Sequence, residues 1–444
     1  MTVLLVPSLT AHGVVSRQDL PIPLVYLLVG AVAALLVSFL ALVVLWREPR
    51  LDWVHAGRPL PPQVQRVLDS PALRTGLQVL GLLAAAYVAV AALFGPDDDS
   101  NPTPGVVYVL FWVGVPLLSM LLGPVWRLLN PIRTIDTAVT RATGTDPEAA
   151  AWPLPHRVGH WPAALMLLAF VWMELAAPDN TRRLVLCLFF GTYLAVNLLA
   201  ALAFGSRWFS RGDGFEVYST LLGRLSCLGR RGDGQLVLRN PLAGVAGTPA
   251  VPGLSGVVCV LLGSTAYDSL GSSPWWVNVV QSGPLPATLT KSLGLVAMVA
   301  LVGLLFVNAS LLAGWRSDLS STRLVEEFAH TLIPIVAGYV LAHYWSLLVL
   351  NGQKTISQLS DPFATGANLL GTAHLVVNPT LADPNLVSLL QVTAIVLGHV
   401  LAVVLAHDRA LRLLPRRQAM TGQIPLLVLM VGFTAGGLTL LFAA

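Results

Sequence analysis

Residues 22–46 read IPLVYLLVGAVAALLVSFLALVVLW, a run that contains no charged side chain. A hydrocarbon core of about 30 Å takes roughly 20 apolar residues of α-helix, so this stretch predicts a helix that crosses a membrane. Similar stretches recur along the whole chain. We predict ten spans, near residues 22–46, 74–95, 104–125, 159–177, 183–205, 251–269, 288–315, 324–350, 385–407 and 423–443.

The composition of the 444 residues also indicates a membrane protein. Hydrophobic residues make up 55% and charged residues 11% of the chain, whereas soluble globular domains carry roughly 25% charged residues. The chain therefore has too few polar side chains to cover the cores of two or three soluble domains. We predict an all-α bundle of about ten spans, surrounded by membrane lipids, that forms one integral membrane domain over residues 1–444.

The distribution of basic residues predicts how this bundle is oriented, because cytoplasmic loops carry an excess of Lys and Arg. With the N-terminus outside, the predicted cytoplasmic loops hold 21 of the 26 basic residues. The other five lie in the predicted outer segments: Arg17, Arg182, Arg183, Lys291 and Lys354. We therefore predict a multi-pass plasma-membrane protein with an extracytoplasmic N-terminus.

Two of the predicted loops are long. In the cytoplasmic loop 206–250, RGDG turns begin at Arg211 and Arg231, and neither has the spacing of a Walker or Rossmann phosphate-binding loop. Apolar residues recur between these turns at helical spacing: Phe215, Tyr218, Leu221, Leu222 and Leu225. This pattern predicts a short helix that lies in the membrane interface. The extracytoplasmic loop 351–384 is polar, and we expect it to cap the outer surface.

Polar and ionisable side chains within the hydrocarbon are costly, so they are candidates for function. Six of those in the predicted spans are our candidates, the first four toward the outer side and the last two toward the cytoplasm: Glu174, Asp268, His343, Gln391, His330 and His399. Carboxyl and imidazole groups can change protonation or bind a polar solute between them. We predict that these residues form a site or pathway that binds or transports a small ion or polar solute.

Metal and haem chemistry are alternatives. Imidazole and carboxylate ligands suit several transition metals, so His330, His399 and Glu326 are candidates for a metal site. Glu326 and Glu327 stand about one turn before His330, where either could orient its ring. Two stacked haems are disfavoured, because His330 and His343 differ by about 140° around a helix. A single haem between the eighth and ninth spans stays open.

Other kinds of site have less support in the sequence. Cys187, Cys227 and Cys259 show no CxxC spacing, so we expect neither a disulfide framework nor a zinc site. The chain has no basic stripe with interleaved aromatic residues, and we expect no nucleic-acid partner. Cleavage after Ala11 would leave His12 as an N-terminal copper ligand, although the preceding stretch lacks the basic residues of a signal peptide.

Several short motifs carry a resemblance to a known family. They are Ala11-His12-Gly13 with Arg17-Gln18-Asp19-Leu20-Pro21, Asn130-Pro131-Ile132-Arg133-Thr134, Arg211-Gly212-Asp213-Gly214-Phe215-Glu216-Val217-Tyr218, His343-Tyr344 and Gly398-His399. With these motifs the chain resembles a group of uncharacterised multi-span membrane proteins of actinobacteria, some of which carry the label fenitrothion hydrolase. The resemblance implies an actinobacterial plasma membrane. It also makes a membrane-embedded, metal-dependent hydrolase of organophosphate esters an alternative function.

A further alternative comes from the polar residues themselves. If they form no connected group, the chain would be a non-catalytic or redox-associated subunit of a larger membrane complex, with other membrane proteins as partners. A hydrolase would instead gather at least three of these side chains around a metal. A transporter would have a water-accessible cavity that reaches them from one side.

Overall fold

The computed structural model describes residues 23–146, 148, 150–315, 317–415 and 422–442. The structure is 71% helical with almost no strands, which confirms the predicted all-α bundle. The N-terminal tail, with His12 and the motif around it, lies outside the described residues. In chain order the helices are α1 Leu24–Leu45, α2 Pro62–Leu68, α3 Pro71–Phe94, α4 Thr103–Leu122, α5 Trp126–Leu129, α6 Pro131–Thr143, α7 Trp161–Leu175, α8 Arg183–Phe204, α9 Gly214–Gly223, α10 Pro241–Ala246, α11 Leu254–Gly271, α12 Pro274–Ser282, α13 Ala287–Ala313, α14 Ser321–Gln358, α15 Pro384–Leu413 and α16 Ile424–Phe442.

Within the described ranges, nine helices are long and apolar enough to cross a membrane. They are α1, α3 with its extension α2, α4, α8, α11, α13, α14, α15 and α16. The shorter apolar helix α7 has 15 residues and rises only about 22 Å. Each of the ten predicted spans corresponds to one of these helices. They indicate a membrane protein, while its orientation in the membrane stays a prediction.

Two helices form the centre of the bundle. The most apolar 18-residue window is 72% buried in α11 and 67% buried in α14, whereas the other seven long helices bury only 17–39% of theirs. The exposed side chains of the outer helices are apolar, as expected for surfaces that face lipid. Polar groups on α11 and α14 are therefore shielded from lipid by the surrounding helices.

Glycines bring α14 and α15 into backbone contact. A Cβ atom added at Gly338 would lie 2.5 Å from the carbonyl oxygen of Ala394, and one at Gly398 would lie 2.6 Å from the carbonyl oxygen of Pro334. Small residues allow this close approach, which gives membrane helices much of their packing energy. The Gly398-His399 motif thus includes a glycine that the helix contact requires.

The segment between α8 and α11 contains the predicted short helix, and that helix is buried in the protein. Nine of the ten residues of α9 are buried, because the helix packs against α4 and α7, and its place relative to the membrane interface stays a prediction. The polar residues Asp213 and Glu216 tolerate this burial because they have hydrogen-bond partners.

A small antiparallel sheet follows α9. Its strands are β1 Arg58–Pro59, β2 Leu228–Arg230 and β3 Leu236–Leu238, in the order β1-β3-β2, with Arg58 and Leu228 both opposite Leu238. The second RGDG motif is the turn between β2 and β3, where Gly234 has a φ of 82°, a value that favours glycine. The first RGDG motif instead begins α9, so the two copies have different structural roles.

The predicted outer loop begins later than expected, because α14 continues to Gln358. The chain beyond it packs on the end of α3: the Tyr87 hydroxyl donates to the Leu359 carbonyl at 2.5 Å. The Gln358 amide also donates to the Asp99 carbonyl at 2.6 Å. These contacts hold the start of the loop against the bundle.

Candidate functional site

The carboxyl group of Asp268 is the centre of a buried polar cluster. Asp268 lies in the last turn of α11, and its Oδ2 accepts hydrogen bonds from His343 Nε2 at 2.9 Å and from the Tyr344 hydroxyl at 3.0 Å. All three side chains are almost fully shielded from solvent. The His343-Tyr344 motif therefore supplies two donors from α14 to one acid on α11, and both helices belong to the buried centre of the bundle.

The second nitrogen of His343 also has a partner. The Ser269 hydroxyl oxygen lies 3.2 Å from His343 Nδ1 and 3.2 Å from the Thr265 carbonyl oxygen. With a neutral ring, Ser269 can donate to Nδ1, and with a protonated ring it can accept from Nδ1 and donate to Thr265. His343 can therefore gain or lose a proton without leaving a nitrogen unpaired.

Glu174 adds a second acid beside this pair. It lies in the last turn of α7, is 3% exposed, and is close enough to Asp268 for an electrostatic interaction. Tyr108, Tyr218 and Tyr344 also lie within electrostatic range of Glu174. Its Oε2 atom has no hydrogen-bond partner among the described residues. A buried carboxyl oxygen of this kind can receive a proton or a small cation.

The connection after α7 closes over Glu174. The Asn180 side chain donates to the Glu174 carbonyl, and the Tyr108 hydroxyl donates to the Asn180 carbonyl at 2.8 Å. Tyr108 belongs to a widened π-helical stretch of α4, Val106–Gly114, a distortion that often occurs at functional sites. The loop and the π-helical stretch are thus tied together next to the acid.

The cluster contains two carboxyl groups and one imidazole. With both acids ionised it has a net negative charge even when His343 is protonated, which is unfavourable in surroundings this apolar. A bound proton or a small cation removes that charge. The arrangement can therefore take up and release a proton while its hydrogen bonds persist. We refer below to Glu174, Asp268, Ser269, His343 and Tyr344 as the carboxyl–imidazole cluster.

The side chains of the cluster are nearly fully buried in this conformation. In the described part of the chain, two small cavities each have room for about one water molecule, and neither is lined by Glu174, Asp268 or His343. A transporter is expected to have a water-accessible cavity that reaches these side chains, whereas here they are buried.

The predicted metal ligands do not come together. Both carboxylate oxygens of Glu326 accept hydrogen bonds from the start of α11: Gly253 N, Ser255 N and the Ser255 hydroxyl, at 2.8–2.9 Å. Among the described residues, no group of three or more His, Cys, Asp or Glu side chains could hold a metal ion. The prediction of a metal site at His330, His399 and Glu326 is therefore wrong, because Glu326 caps a helix instead.

The predicted pairing of His330 with a neighbouring acid is also wrong. Glu327 forms ion pairs with Arg323 and Arg409, so neither Glu327 nor Glu326 directs its carboxylate to the His330 ring. His399 Nδ1 lies 2.8 Å from the Ile395 carbonyl oxygen of its own helix, while Nε2 has no hydrogen-bond partner among the described residues. Both histidines are fully buried, and we find no contact that joins them to the carboxyl–imidazole cluster within the described residues.

Gln391 is half-buried on α15. In the described ranges it makes no hydrogen bond to the carboxyl–imidazole cluster. Of the six predicted pathway residues, the structure thus places Asp268 and His343 in direct contact, with Glu174 as an electrostatic neighbour. Tyr344 and Ser269 were not predicted, although Tyr344 is part of the quoted His343-Tyr344 motif.

A second buried network joins two of the quoted motifs. Asn130 caps α6, and its amide nitrogen donates to Asp213 Oδ2 at 2.8 Å and to Glu216 Oε2 at 3.3 Å. Arg133 forms a two-pronged ion pair with Glu216, at 2.9 and 2.7 Å. The Tyr193 hydroxyl donates to Asp213 Oδ1 at 2.5 Å. We call these five residues the N-cap clamp.

Asp213 caps α9 in the same way that Asn130 caps α6. Its Oδ1 accepts hydrogen bonds from the backbone nitrogens of Phe215 and Glu216, both at 3.0 Å. Burial, with the negative charge of Glu216 nearby, raises the pKa of Asp213 to about 6. The polar atoms of the clamp have protein partners, so its geometry is that of a structural joint between α6 and α9.

The chain was also compared with known proteins. Neither protein-family models nor curated proteins nor solved structures gave a match. The actinobacterial resemblance therefore stays a prediction from the motifs, and the functional conclusion rests on the carboxyl–imidazole cluster.

Proposed function

We propose that this protein is an integral membrane protein that moves protons, or a small polar solute together with protons, through the carboxyl–imidazole cluster. The observation that supports this most directly is the Asp268–His343 hydrogen bond of 2.9 Å beside Glu174. Buried ionisable groups in membrane helices are expensive to retain, and proton relays are among their best-known uses.

The cluster offers a short relay for a proton. His343 can pass a proton between Asp268 on Nε2 and the Ser269 hydroxyl on Nδ1, because each nitrogen has an oxygen within 3.2 Å. Glu174 supplies a further carboxyl oxygen that has no hydrogen-bond partner among the described residues. Three helices, α7, α11 and α14, contribute these groups, so a relative movement of the helices would change the access to each.

Transport then requires at least one further conformation, because the cluster is buried in this one. The connection after α7 lies next to Glu174 and is held there by the hydrogen bonds of Asn180 and Tyr108. Its release would open the cluster toward the side that the sequence predicts to be extracytoplasmic. Alternating access of this kind is how secondary transporters expose a buried site to one side at a time.

The two alternative functions have less support. A metal-dependent hydrolase needs a gathered set of ligands, and the described residues contain none. A non-catalytic subunit was expected to have unconnected polar residues, whereas Asp268, His343, Tyr344 and Ser269 form one hydrogen-bonded chain. The connected chain favours a site that handles protons.

Proton flux into sealed vesicles tests the proposal. The purified protein is reconstituted with a pH-sensitive dye inside, and a potassium gradient with valinomycin drives proton entry. Asp268→Asn keeps the size of the side chain and an acceptor for its two donors but removes the titratable group. We expect a loss of flux of at least about tenfold, which corresponds to a barrier higher by about 1.4 kcal/mol.

The matched control is Asp136→Asn. Asp136 on α6 is a buried acid like Asp268, but it lies outside the cluster, and its Oδ2 has no hydrogen-bond partner among the described residues. We expect this variant to retain the flux of the unaltered protein. Equal flux in the unaltered protein and in Asp268→Asn, or equal losses in the two variants, would contradict the proposal.

A further inference from the structure

Two arginines meet where α9 ends and the small sheet begins. Arg224 directly follows α9, and Arg239 directly follows β3. The backbone nitrogen of Arg239 donates to the Cys227 carbonyl at 2.7 Å, which closes the β2–β3 hairpin beside the end of α9. Arg224 and Arg239 are thus positioned by the end of α9 and by the hairpin, and their side chains lie within electrostatic range of each other.

Glycines make room for the Arg239 guanidinium. A Cβ atom at Gly229 would lie 2.8 Å from its Nη1, and one at Gly244 would lie 2.7 Å from its Nη2. The carbonyl oxygen of Arg224 also adjoins Gly244. The Arg239 guanidinium therefore lies against the backbone of two glycines, Gly229 in β2 and Gly244 in α10.

The pair has no counter-ion in the described part of the chain. Burial, together with the like charge of Arg239, lowers the pKa of Arg224. Burial also lowers the pKa of Arg239, whose Nε atom has no hydrogen-bond partner among the described residues. No carboxylate of these residues forms an ion pair with either side chain.

The other arginines of the hairpin differ in this respect. Arg230 forms an ion pair with Asp69, and Arg231 pairs with Asp233 at 3.5 Å. These two arginines thus each have an acid as a partner, whereas the electrostatic neighbour of Arg224 is the like charge of Arg239. Two partly buried like charges repel each other, and an anion bound between them would offset both the repulsion and the cost of burial.

We propose that Arg224 and Arg239 form a binding site for a phosphate-bearing anion, between the end of α9, the β2–β3 hairpin and α10. The guanidinium group presents paired donors that match phosphate oxygens. The site lies on the side that the sequence predicts to be cytoplasmic, where basic pockets bind the headgroups of anionic lipids. A phospholipid headgroup and free phosphate offer the same chemistry. This site is separate from the carboxyl–imidazole cluster and does not depend on its function.

Thermal unfolding of the purified full-length protein in a neutral detergent tests the site. The probes are phosphatidylglycerol, phosphatidylcholine as the neutral lipid, and inorganic phosphate, each titrated at constant ionic strength. We expect a saturable rise of at least about 3 °C in the unfolding temperature with a phosphate anion. A rise with phosphatidylglycerol but not with inorganic phosphate identifies a lipid headgroup. A rise with inorganic phosphate identifies a soluble anion.

The decisive variant is Arg224→Gln with Arg239→Gln, in which we expect binding at least about tenfold weaker. The control is Arg58→Gln with Arg230→Gln, which removes the same charge from exposed positions of the same sheet and should bind as the unaltered protein does. If the first pair fails to fold, Arg224→Lys with Arg239→Lys keeps the charge but loses the paired donors, and we expect weaker binding. No saturable shift with either anion, or undiminished binding in the Lys or Gln pair, would overturn the proposal.

Discussion

The N-cap clamp allows a stability change to be worked out from individual contacts. Asn130 is 1% exposed. Its Oδ1 accepts hydrogen bonds from the backbone nitrogens of Ile132 and Arg133. Its Nδ2 donates to the carboxylates of Asp213 and Glu216. Asn130→Ala removes the helix cap, at a cost of about 1 kcal/mol. It also leaves a buried carboxylate oxygen of Asp213 without its donor, at a cost of about 2 kcal/mol. We expect a total loss of about 3 kcal/mol in the free energy of unfolding.

The assay is reversible unfolding in mixed micelles of a mild detergent and dodecyl sulfate, followed by circular dichroism. Asn240→Ala is the matched control, because Asn240 also precedes a proline and caps α10. Among the described residues its side chain bonds only to Leu242 N, at 2.9 Å. We expect it to lose about 1 kcal/mol. Asn130→Asp keeps a good cap but sets a third carboxylate against Asp213 and Glu216, so it should be less stable than Asn130→Ala. Equal losses for the two alanine variants, or an Asn130→Asp protein as stable as the original, would refute this account.

Two further predictions concern packing and pH. Gly338→Ala should lower the free energy of unfolding by about 1–3 kcal/mol, since its Cβ atom would lie 2.5 Å from the Ala394 carbonyl oxygen. The control is Gly30→Ala, whose Cβ atom would have no neighbouring atom of the described residues within 4 Å. It should leave the free energy of unfolding unchanged in the same assay. Burial lowers the pKa of His160 from 6.5 to about 4. As the pH drops, the imidazole is therefore protonated in the unfolded chain before it is protonated in the folded protein. The free energy of unfolding falls as the pH drops from about 6.5 toward 4. Unfolding measured across that range should show a loss of up to about 3 kcal/mol that His160→Gln removes; a loss that persists in the variant would assign it to other groups.

The sequence allowed the helices to be predicted, but not how they are turned toward one another. Long apolar runs fix where a helix crosses the membrane, which is why each predicted span has a counterpart. The positions of Asp268 and His343 along their spans predicted that both lie toward the outer side of the membrane. In the structure the two side chains are hydrogen-bonded. Rotation about each helix axis depends on packing between helices, as at the contact of Gly338 with α15, and apolar periodicity is weak in helices surrounded by lipid.

The failed metal prediction has the same origin. Glu326 and His330 share a helix face at one turn's spacing, which suggested that the acid orients the ring. The structure instead directs Glu326 to three donors at the start of α11. A carboxylate is stabilised by unpaired backbone N–H groups at a helix N-terminus. The N–H groups that bind Glu326 are 71 to 73 residues away from it in the sequence. No local spacing in the sequence reports such a distant donor.

The N-cap clamp and the carboxyl–imidazole cluster are connected through α9. The clamp fixes the first turn of α9 at Asp213 and Glu216, and one turn later the Ser219 hydroxyl lies 2.8 Å from that of Ser119 on α4. Between these anchors, Tyr218 is a neighbour of Glu174, and α4 itself carries Tyr108, which pins the covering loop. Both tyrosines thus belong to elements that the clamp and the serine contact hold together. Because a carboxyl group in this position depends on its polar neighbours to change protonation, the rigid joint at the Asn130 and Asp213 motifs defines the surroundings in which Glu174 can gain or lose a proton.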